Sequence, residues 1–329
     1  MNSGENSTNG GSGDPLAGLL PPPAEVNNTH KVYTVAATCI LLCFISCLTV
    51  SARLAVRVKK HDVGLDDIAM VPATLLYIGW TVLAVCVNLN AGVGKPLWEI
   101  TLDEFSLWFK GVVVSSWLYP TLSASIRVST LLFYRRIFAK TDPRLKLVIW
   151  ALLALQGVYV AVYSVLPAFV CDPIRYAWRP LERQLHCSDR YYAMTHISLY
   201  AVSMAFDFVL LIVPVAPVWK LQMPVAKRIG TVVLFSLGAA ASVASAYKLG
   251  VFVDQQKVYV PTDVKWLRYK MSRFVPGQFK EYGTTFWIPS QVEPAVALIG
   301  TSMPALKQIL GHAFSGRISR KTKEIRAKG

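Results

Sequence analysis

Ionisable side chains within long apolar stretches are the residues of this sequence best suited to chemistry. A charged group in the centre of a bilayer costs roughly 2.5 to 3.5 kcal/mol on insertion scales, so charges retained there normally face a partner or a wet cavity. Within such stretches, or at their edges, the sequence carries Lys110, Arg127, His196, Asp207, Lys248 and Glu293. These six residues are the candidates for a functional site.

Arg127 and Asp207 lie equally far from the starts of two apolar stretches that are both predicted to run inward. Equal spacing places the two side chains at a similar depth, where each alone would be an unpaired charge. A guanidinium can bind a carboxylate through two parallel hydrogen bonds. Because pairing offsets the cost of burying each charge, we expect an intramembrane ion pair between them.

Glu293, Lys248 and Lys110 fall in the outer halves of their stretches. Together with His196 and the tyrosines at 191–192, they are placed to line a polar pocket that opens outward. Such concave sites between helices bind small ligands. The alternative is a set of ties between helices, in which the lysine side chains reach toward the interface. The sequence leaves both interpretations open.

Several kinds of chemistry are disfavoured by what the sequence lacks. A retinal pigment needs a Schiff-base lysine midway along its last helix, whereas Lys307 follows the inner end of that stretch. We therefore expect no retinal and no other cofactor. No metal-ligand histidine set, phosphate-binding glycine loop or nucleophile motif occurs, so no metal site is expected. We interpret Asp66 and Asp67 as helix-capping residues rather than as ligands of magnesium pyrophosphate.

The composition is that of a membrane protein. Of the 329 residues, 53% are hydrophobic and 16% are charged, against about 25% charged in soluble proteins. Seven stretches are long enough to cross a bilayer and carry few charges. They are 32–52, 68–94, 111–134, 147–171, 191–219, 229–247 and 282–306. Alternation typical of a membrane barrel is missing, so the sequence predicts an all-α, polytopic membrane protein with seven transmembrane helices.

Lysine and arginine set the expected orientation. They outnumber Asp and Glu by 34 to 19, and they are more frequent in the segments that follow stretches one, three, five and seven. We therefore expect the N-terminus outside and the C-terminus in the cytoplasm. Residues 1–30 are predicted to be a disordered extracellular or lumenal tail, 31–311 the membrane domain, and 312–329 a basic cytoplasmic tail lying against anionic lipid.

The outer side carries two kinds of expected modification and one unusual loop. Asn6 and Asn27 are glycosylation sequons in the tail. Cys171 and Cys187 bracket a loop on the oxidising side, so we expect a disulfide, with two free thiols as the alternative. The basic and aromatic stretch 264–274 is expected to lie along the membrane interface, with capture of an acidic molecule as the alternative. Its side of the membrane excludes a nucleic-acid partner.

Motifs along the chain resemble a known family. Their sequences and positions are GLDD at 64–67, LLFYRRIF at 131–138, CDP at 171–173, VPVAPVWKLQMP at 213–224, FSLG at 235–238 and MPAL at 303–306, together with Asp207, Trp287 and Glu293. In order and spacing, residues 32–310 resemble the fungal rhodopsin-like domain. This seven-helix family includes the integral membrane protein of satratoxin gene clusters and fungal receptor-like surface sensors.

The resemblance implies seven helices in a fungal membrane protein, of the plasma membrane or an endomembrane. Biochemical activity in the family is mostly unassigned. This sequence departs from some members because its tail has no cysteine-rich outer module and its 253–282 stretch is longer and more basic. No acidic residue precedes the arginines at 135–136, so coupling to a G protein is not implied.

Two functions remain open at this point. The first, raised by the satratoxin resemblance, is a membrane component associated with mycotoxin-type secondary-metabolite biosynthesis. Whether that component is an enzyme is left open, with Glu293 or Asp207 as its general acid. The second is a receptor-like sensor of an extracellular small molecule or surface cue. The expected partners are the lipid bilayer and a small-molecule ligand or pathway intermediate, and the sequence names no cytoplasmic signalling partner.

Overall fold

The computed structural model describes residues 29–93, 101–138, 143–214, 238–253 and 287–303. Within these ranges the backbone is helical apart from short connections, and no β-strand occurs. The two sequons, the stretch 264–274 and the basic tail lie outside the described residues. The domain boundaries, glycosylation and interface contact predicted there therefore stay predictions.

Eight α-helices are present in the described residues, together with two short 3₁₀ helices, Leu166–Phe169 and Ile174–Trp178. The α-helices are α1 (Thr29–Lys59), α2 (Leu65–Asn90), α3 (Leu102–Phe138), α4 (Pro143–Val165), α5 (Pro180–His186), α6 (Asp189–Ile212), α7 (Gly238–Val253) and α8 (287–303). Apart from the short α5, each overlaps one of the seven predicted stretches, although the bounds differ by several residues. Segments in α1, α2 and α6, and one that runs from α4 into the following turn, are long and apolar enough to cross a membrane. The all-α, seven-helix membrane fold is confirmed, and its orientation stays a prediction.

Capping groups explain where two of the helices begin. At the start of α2, the Asp67 carboxylate accepts the backbone N–H of Gly64 at 3.0 Å. Before α3, Thr101 and Glu104 exchange hydrogen bonds between side chain and backbone, at 3.0 and 3.3 Å. These contacts satisfy N–H groups that have no partner within the helix. Asp67 thus caps α2, as the sequence predicts, whereas the Asp66 carboxylate binds Arg53 and Arg136 instead.

The outward faces of the helices are apolar. On α1, for example, Phe44 is 65% exposed and Leu48 is 60% exposed. On α4, Leu147 is 73% exposed. Water-exposed faces of this kind are rare in soluble monomers, whereas hydrocarbon accepts them. These helices are embedded in a membrane, and these faces contact lipid.

Aromatic rings fill the centre of the helix bundle. Trp80 of α2 contacts Tyr119 of α3 and Trp287 of α8, with ring centroids 5.9 and 5.6 Å apart. Tyr119 also meets Tyr200 of α6 edge to face at 5.4 Å. Aromatic pairs in these orientations attract one another beyond the area that they bury. Four helices therefore converge on Tyr119, and the polar groups described below gather around its hydroxyl.

Cys171 and Cys187 form the predicted disulfide. It ties the turn after α4 to the segment before α6. Two backbone bonds accompany it, from Asp172 N–H to the His186 carbonyl at 3.1 Å and from Ser188 N–H to the Val170 carbonyl at 3.0 Å. The bridge thus fixes where the loop that contains α5 enters and leaves the bundle.

Replacing Cys171 by serine is expected to lower the free energy of unfolding by about 3 kcal/mol, because the unfolded chain loses a constraint on a short loop. Thermal unfolding of purified protein in detergent measures this. The matched control is Cys86→Ser, which changes an exposed free cysteine and should leave the transition unchanged. Alkylation of denatured protein should label four of the six cysteines before reduction and all six after it. Six labelled cysteines without reductant would contradict the bridge.

Candidate functional site

Arg127 and Asp207 lie in contact between α3 and α6. Arg127 Nε donates to Asp207 Oδ1 at 2.9 Å. The two parallel hydrogen bonds that were predicted between guanidinium and carboxylate are not formed. Instead, a terminal nitrogen of Arg127 donates to the carbonyl oxygen of Ser203 at 3.0 Å and to the Ser203 hydroxyl at 2.5 Å. The second oxygen of Asp207 accepts the hydroxyl of Ser245 on α7 at 2.8 Å. The pair thus joins three helices.

Glu293 of α8 and Lys248 of α7 form a second ion pair. Lys248 is 1% exposed and also donates to the hydroxyl of Tyr119, which in turn lies 3.0 Å from Glu293 Oε1. The lysine ammonium lies over the rings of Tyr119 and Tyr200, at 4.0 and 4.8 Å from their centroids. Ring faces attract a cation when water is excluded. Lys248 is therefore enclosed by one carboxylate and two aromatic rings.

The two ion pairs belong to one assembly. The hydroxyls of Tyr119 and Ser203 lie 3.0 Å apart, and this contact links the Lys248 pair to the Arg127 pair. We call this assembly the buried polar network. Its members are Tyr119, Arg127, Ser203, Asp207, Ser245, Lys248 and Glu293. With two cations and two carboxylates it is balanced in charge, as a buried cluster of charges has to be if it is to be stable.

His196 and Lys110 lie outside the buried polar network. Lys110 is exposed on α3. His196 is buried, with its ring nitrogens 3.1 Å from the Ser116 hydroxyl and 3.0 Å from the Tyr192 carbonyl. Its ring stacks on Tyr192 at 4.0 Å. The structure does not bring these two residues together with Glu293.

Aromatic rings fill the region where an outward-facing pocket is predicted. Tyr200 and Phe252 pack edge to face at 5.2 Å, and Phe252 lies 6.0 Å from His196. These rings close over Lys248 on the side where α6 begins. In the described residues, ring packing therefore occupies the space next to Lys248, and the outward-facing pocket stays a prediction.

A cavity of about 80 Å³ lies on the opposite side of the buried polar network. Arg127, Asp207 and Glu293 line one end of it. From there it extends along α3 to Tyr134 and along α8 to Thr301, between mostly apolar walls. These residues lie toward the end of the bundle where α1 ends and α2 begins, which we call the inner end. In the part of the chain that the structure describes, the network therefore faces an inner cavity.

A second group of buried charges closes the inner end. Arg53 of α1 is fully buried, donates to Asp67 at 2.8 Å and to Asp66 at 2.5 Å, and also binds the carbonyl of Thr301. Arg136 of α3 donates to Asp66 at 3.0 Å. We call Arg53, Asp66, Asp67 and Arg136 the inner charge cluster. Because arginines occupy both carboxylates, the magnesium alternative has no support.

Sequence reasoning missed this cluster, since it counted Arg53 and Arg136 only as inner charges that set orientation. A usable signal was present in the chain. Only residues 60–64 separate α1 from α2, so the two helices must run antiparallel. Side chains just before and just after such a turn face one another. An arginine before it and two aspartates after it therefore predict a contact.

Two of the motifs found in the sequence lie in the inner charge cluster. A family model for the fungal rhodopsin domain matches residues 52–312. The chain belongs to this family. In this fungal rhodopsin domain, the GLDD and FYRR motifs contribute Asp66, Asp67 and Arg136 to the inner charge cluster, so these two motifs serve to hold α1, α2 and α3 together.

Relatives of this domain include proteins of biosynthetic gene clusters and a receptor. The wortmanamides biosynthesis cluster protein C of Talaromyces wortmannii is 24% identical over 208 residues, covering 62% of this chain and 56% of that protein. The fugralins biosynthesis cluster protein 2 of Gibberella zeae is 22% identical over 250 residues, covering 73% and 61%. The chain thus spans little more than half the length of these two relatives.

The receptor GIN3 of Arthrobotrys oligospora is 26% identical over 163 residues, which cover 48% of this chain and 38% of the receptor. No solved structure was found to match the chain. Relatives of this chain therefore include both biosynthesis cluster proteins and a receptor. Family membership does not decide between these two functions, so the decision has to rest on the site.

Replacing Asp207 by asparagine is expected to lower stability by about 1 to 3 kcal/mol, because Arg127 loses its counter-charge but keeps Ser203. Thermal unfolding in detergent measures the loss. Asp103→Asn, at an exposed aspartate near the start of α3, is the matched control and should be neutral. Normal yield and an unchanged transition for Asp207→Asn would show that the pair is not needed for folding.

Proposed function

We propose that this fungal rhodopsin domain is a membrane component of secondary-metabolite biosynthesis that binds an uncharged small molecule at its buried polar network. The observation that carries the proposal is the inner cavity, which ends on Arg127, Asp207 and Glu293. Sites between helices with apolar walls and a few convergent polar groups are suited to small ligands. The relatives named for wortmanamides and fugralins clusters support the pathway assignment.

The charge balance of the network supports an uncharged ligand. Arg127 already pairs with Asp207, and Lys248 already pairs with Glu293. An ionised ligand would add a buried charge without a counter-charge, which is costly in low dielectric. A hydroxyl, carbonyl or amide group can bond to the edges of the ion pairs without upsetting this balance.

The size of the cavity limits how the ligand binds. At about 80 Å³, it lies well below the roughly 300 Å³ at which sites for drug-sized ligands begin. It therefore admits the polar end of a molecule rather than the whole. With the predicted orientation, this end enters from the cytoplasmic side, where an intermediate made in the cell is available.

Hydrogen bonding in the network speaks against general-acid chemistry. Glu293 accepts from Lys248 and Tyr119. Asp207 accepts from Arg127 and Ser245. A catalytic acid must hold a proton within reach of the substrate, whereas these carboxylates are committed to cations and hydroxyls. The geometry thus supports binding over catalysis.

The test is an untargeted metabolite comparison in the fungus that encodes this chain. A deletion strain is complemented with the parent gene, with Ala297→Phe, which fills the cavity, or with Ala161→Phe, which changes an exposed position on α4. We expect deletion to remove a product and accumulate a precursor, and Ala161→Phe to restore the product. Ala297→Phe should fail to restore it at an equal protein level. Full restoration by Ala297→Phe would overturn the proposal.

A receptor-like sensor is the second candidate, and one contact favours it. Thr301 lines the cavity and its carbonyl also accepts from Arg53 of the inner charge cluster. A ligand that displaces α8 would thus change contacts at the inner end, which is how binding energy can shift a helix packing equilibrium. The similarity to the receptor GIN3 supports this candidate. Loss of a whole pathway without an accumulated precursor would favour it.

A further inference from the structure

A second cavity lies between α2, α3 and α4, away from the buried polar network. Its volume is about 420 Å³. Small residues and a proline line this space, and their short side chains do not fill it. They include Ala69 and Pro72 on α2, Ala124 and Ser125 on α3, and Gly157 on α4. We call this cavity the lateral groove, since Pro72 and Gly157 are exposed on the lipid-facing side.

One residue that lines the lateral groove, Gln156, carries a buried and unpaired hydrogen-bond acceptor. Gln156 of α4 is 2% exposed, and its Oε1 has no hydrogen-bond partner. A buried amide oxygen without a donor is costly, and more so in a membrane, where water is scarce. A polar side chain is retained at such a position when it serves packing specificity or a ligand. Here the open volume beside it favours a ligand.

The hydroxyls beside Gln156 are already engaged. Thr121 donates to the Trp117 carbonyl at 2.9 Å, and Ser125 donates to the Thr121 carbonyl at 2.8 Å. Neither hydroxyl proton is free to satisfy Gln156. The lateral groove therefore has mostly apolar walls, and the buried amide oxygen of Gln156 beside it still lacks a donor.

The depth of Gln156 restricts the occupant further. Gln156 lies at the midpoint of the apolar segment Pro143–Phe169, which places it near the centre of the bilayer. Headgroups and sterol hydroxyls reside at the interface, so they do not reach this depth. The donor must be carried partway along an otherwise apolar chain.

We propose that the lateral groove binds a long-chain, lipid-soluble molecule that carries a hydroxyl or amide donor within its chain, and that Gln156 recognises this donor. The inference goes beyond the proposed function and does not rest on it, because the two cavities share no lining residue. It assigns to α2, α3 and α4 a binding role that is separate from the cavity of the buried polar network.

The test uses the purified full chain in lipid nanodiscs and two probes. Methyl 12-hydroxystearate carries a mid-chain hydroxyl, and methyl stearate lacks it. Competition against a fluorescent fatty ester measures both affinities. We expect the hydroxylated ester to bind about tenfold more tightly, the difference that one buried hydrogen bond can make.

Three variants locate the site. Gln156→Leu removes the acceptor and should abolish the preference for the hydroxylated ester while binding of methyl stearate persists. Gly157→Leu should weaken both probes, because its side chain enters the groove. An added Cβ meets nothing within 4 Å at either Gly157 or Gly79, so Gly79→Leu on the exposed face of α2 is the matched control and should bind like the parent.

Several outcomes would overturn the inference. Equal affinity of the parent protein for the two esters would show that Gln156 does not recognise the hydroxyl and that any acyl chain can occupy the groove. If Gln156→Leu still binds the hydroxylated ester more tightly than methyl stearate, the hydroxyl binds to a residue other than Gln156. Parent-like binding by Gly157→Leu would show that the probes bind outside the lateral groove. Circular dichroism and size-exclusion profiles equal to the parent ensure that each variant is folded.

Discussion

Replacing Lys248 by methionine is expected to lower the free energy of unfolding by about 3 to 5 kcal/mol, among the largest effects of any single substitution. The variant leaves Glu293 buried with the Tyr119 hydroxyl but without its counter-charge. It also removes the cation from the rings of Tyr119 and Tyr200. The transition midpoint in detergent, followed by tryptophan fluorescence, and the yield of monodisperse protein measure this loss.

The double variant Lys248→Met, Glu293→Met distinguishes a pairing effect from a packing effect. With both charges removed, no uncompensated charge remains, and replacement of a buried pair by apolar residues is often neutral or stabilising. We expect it to recover most of the lost stability, which a double-mutant cycle records as a coupling energy. Lys110→Met, at an exposed lysine of α3, is the matched control. A double variant as unstable as Lys248→Met alone would refute the pairing argument.

Replacing Arg53 by methionine is expected to have an effect of similar size, about 3 to 5 kcal/mol. Arg53 is fully buried and neutralises two buried carboxylates, Asp66 and Asp67. Without it, Asp66 retains Arg136, whereas the cations left near Asp67 are the more distant Arg57 and Arg136, at 3.9 and 3.4 Å. The contact from α1 to the Thr301 carbonyl of α8 is lost as well. We expect poor insertion or aggregation, read from the monodisperse yield and the thermal transition.

Lys59→Met tests whether the loss of stability requires a buried cation or follows from removing any cation of α1. Lys59 is an exposed cation at the end of the same helix, and its replacement should leave the transition unchanged. Arg53→Lys keeps the charge but cannot bind both aspartates in the same planar geometry, so it should fall between Arg53→Met and the parent. Parent-like stability of Arg53→Met would mean that the inner charge cluster does not hold the bundle together.

Sequence reasoning predicted the elements and two of their contacts. The seven helices follow from the number of consecutive apolar residues needed to cross hydrocarbon, which is a local property of the chain. The approach of Arg127 to Asp207 follows from depth, because both residues lie equally far along helices that run in one direction. The disulfide between Cys171 and Cys187 follows from its compartment and its place in one loop.

The outward-facing pocket stays a prediction, but the structure does not bring its four residues together, for a reason that depth alone does not include. Glu293, Lys248, His196 and Lys110 were grouped because they lie in outer halves of helices, but a helix also has a rotation about its axis. That rotation turns Lys110 outward, and it turns His196 toward Ser116 and away from Glu293. Tyr119 hydrogen-bonds to both Lys248 and Glu293. Because it is uncharged, a search of the sequence for ionisable groups does not find it.

The sequence by itself determined the seven apolar stretches that form the helices and which ionisable groups they carry, because hydropathy is a local property of the chain. Only the tertiary structure decided which of these groups meet, that two ion pairs form one network, and that the cavity faces the inner end. Lipid tails are as apolar as the side chains that face them, so an apolar pattern does not specify which helix faces pack. That choice depends on side-chain shape and hydrogen bonding between residues distant in the chain, such as Arg53 and Thr301.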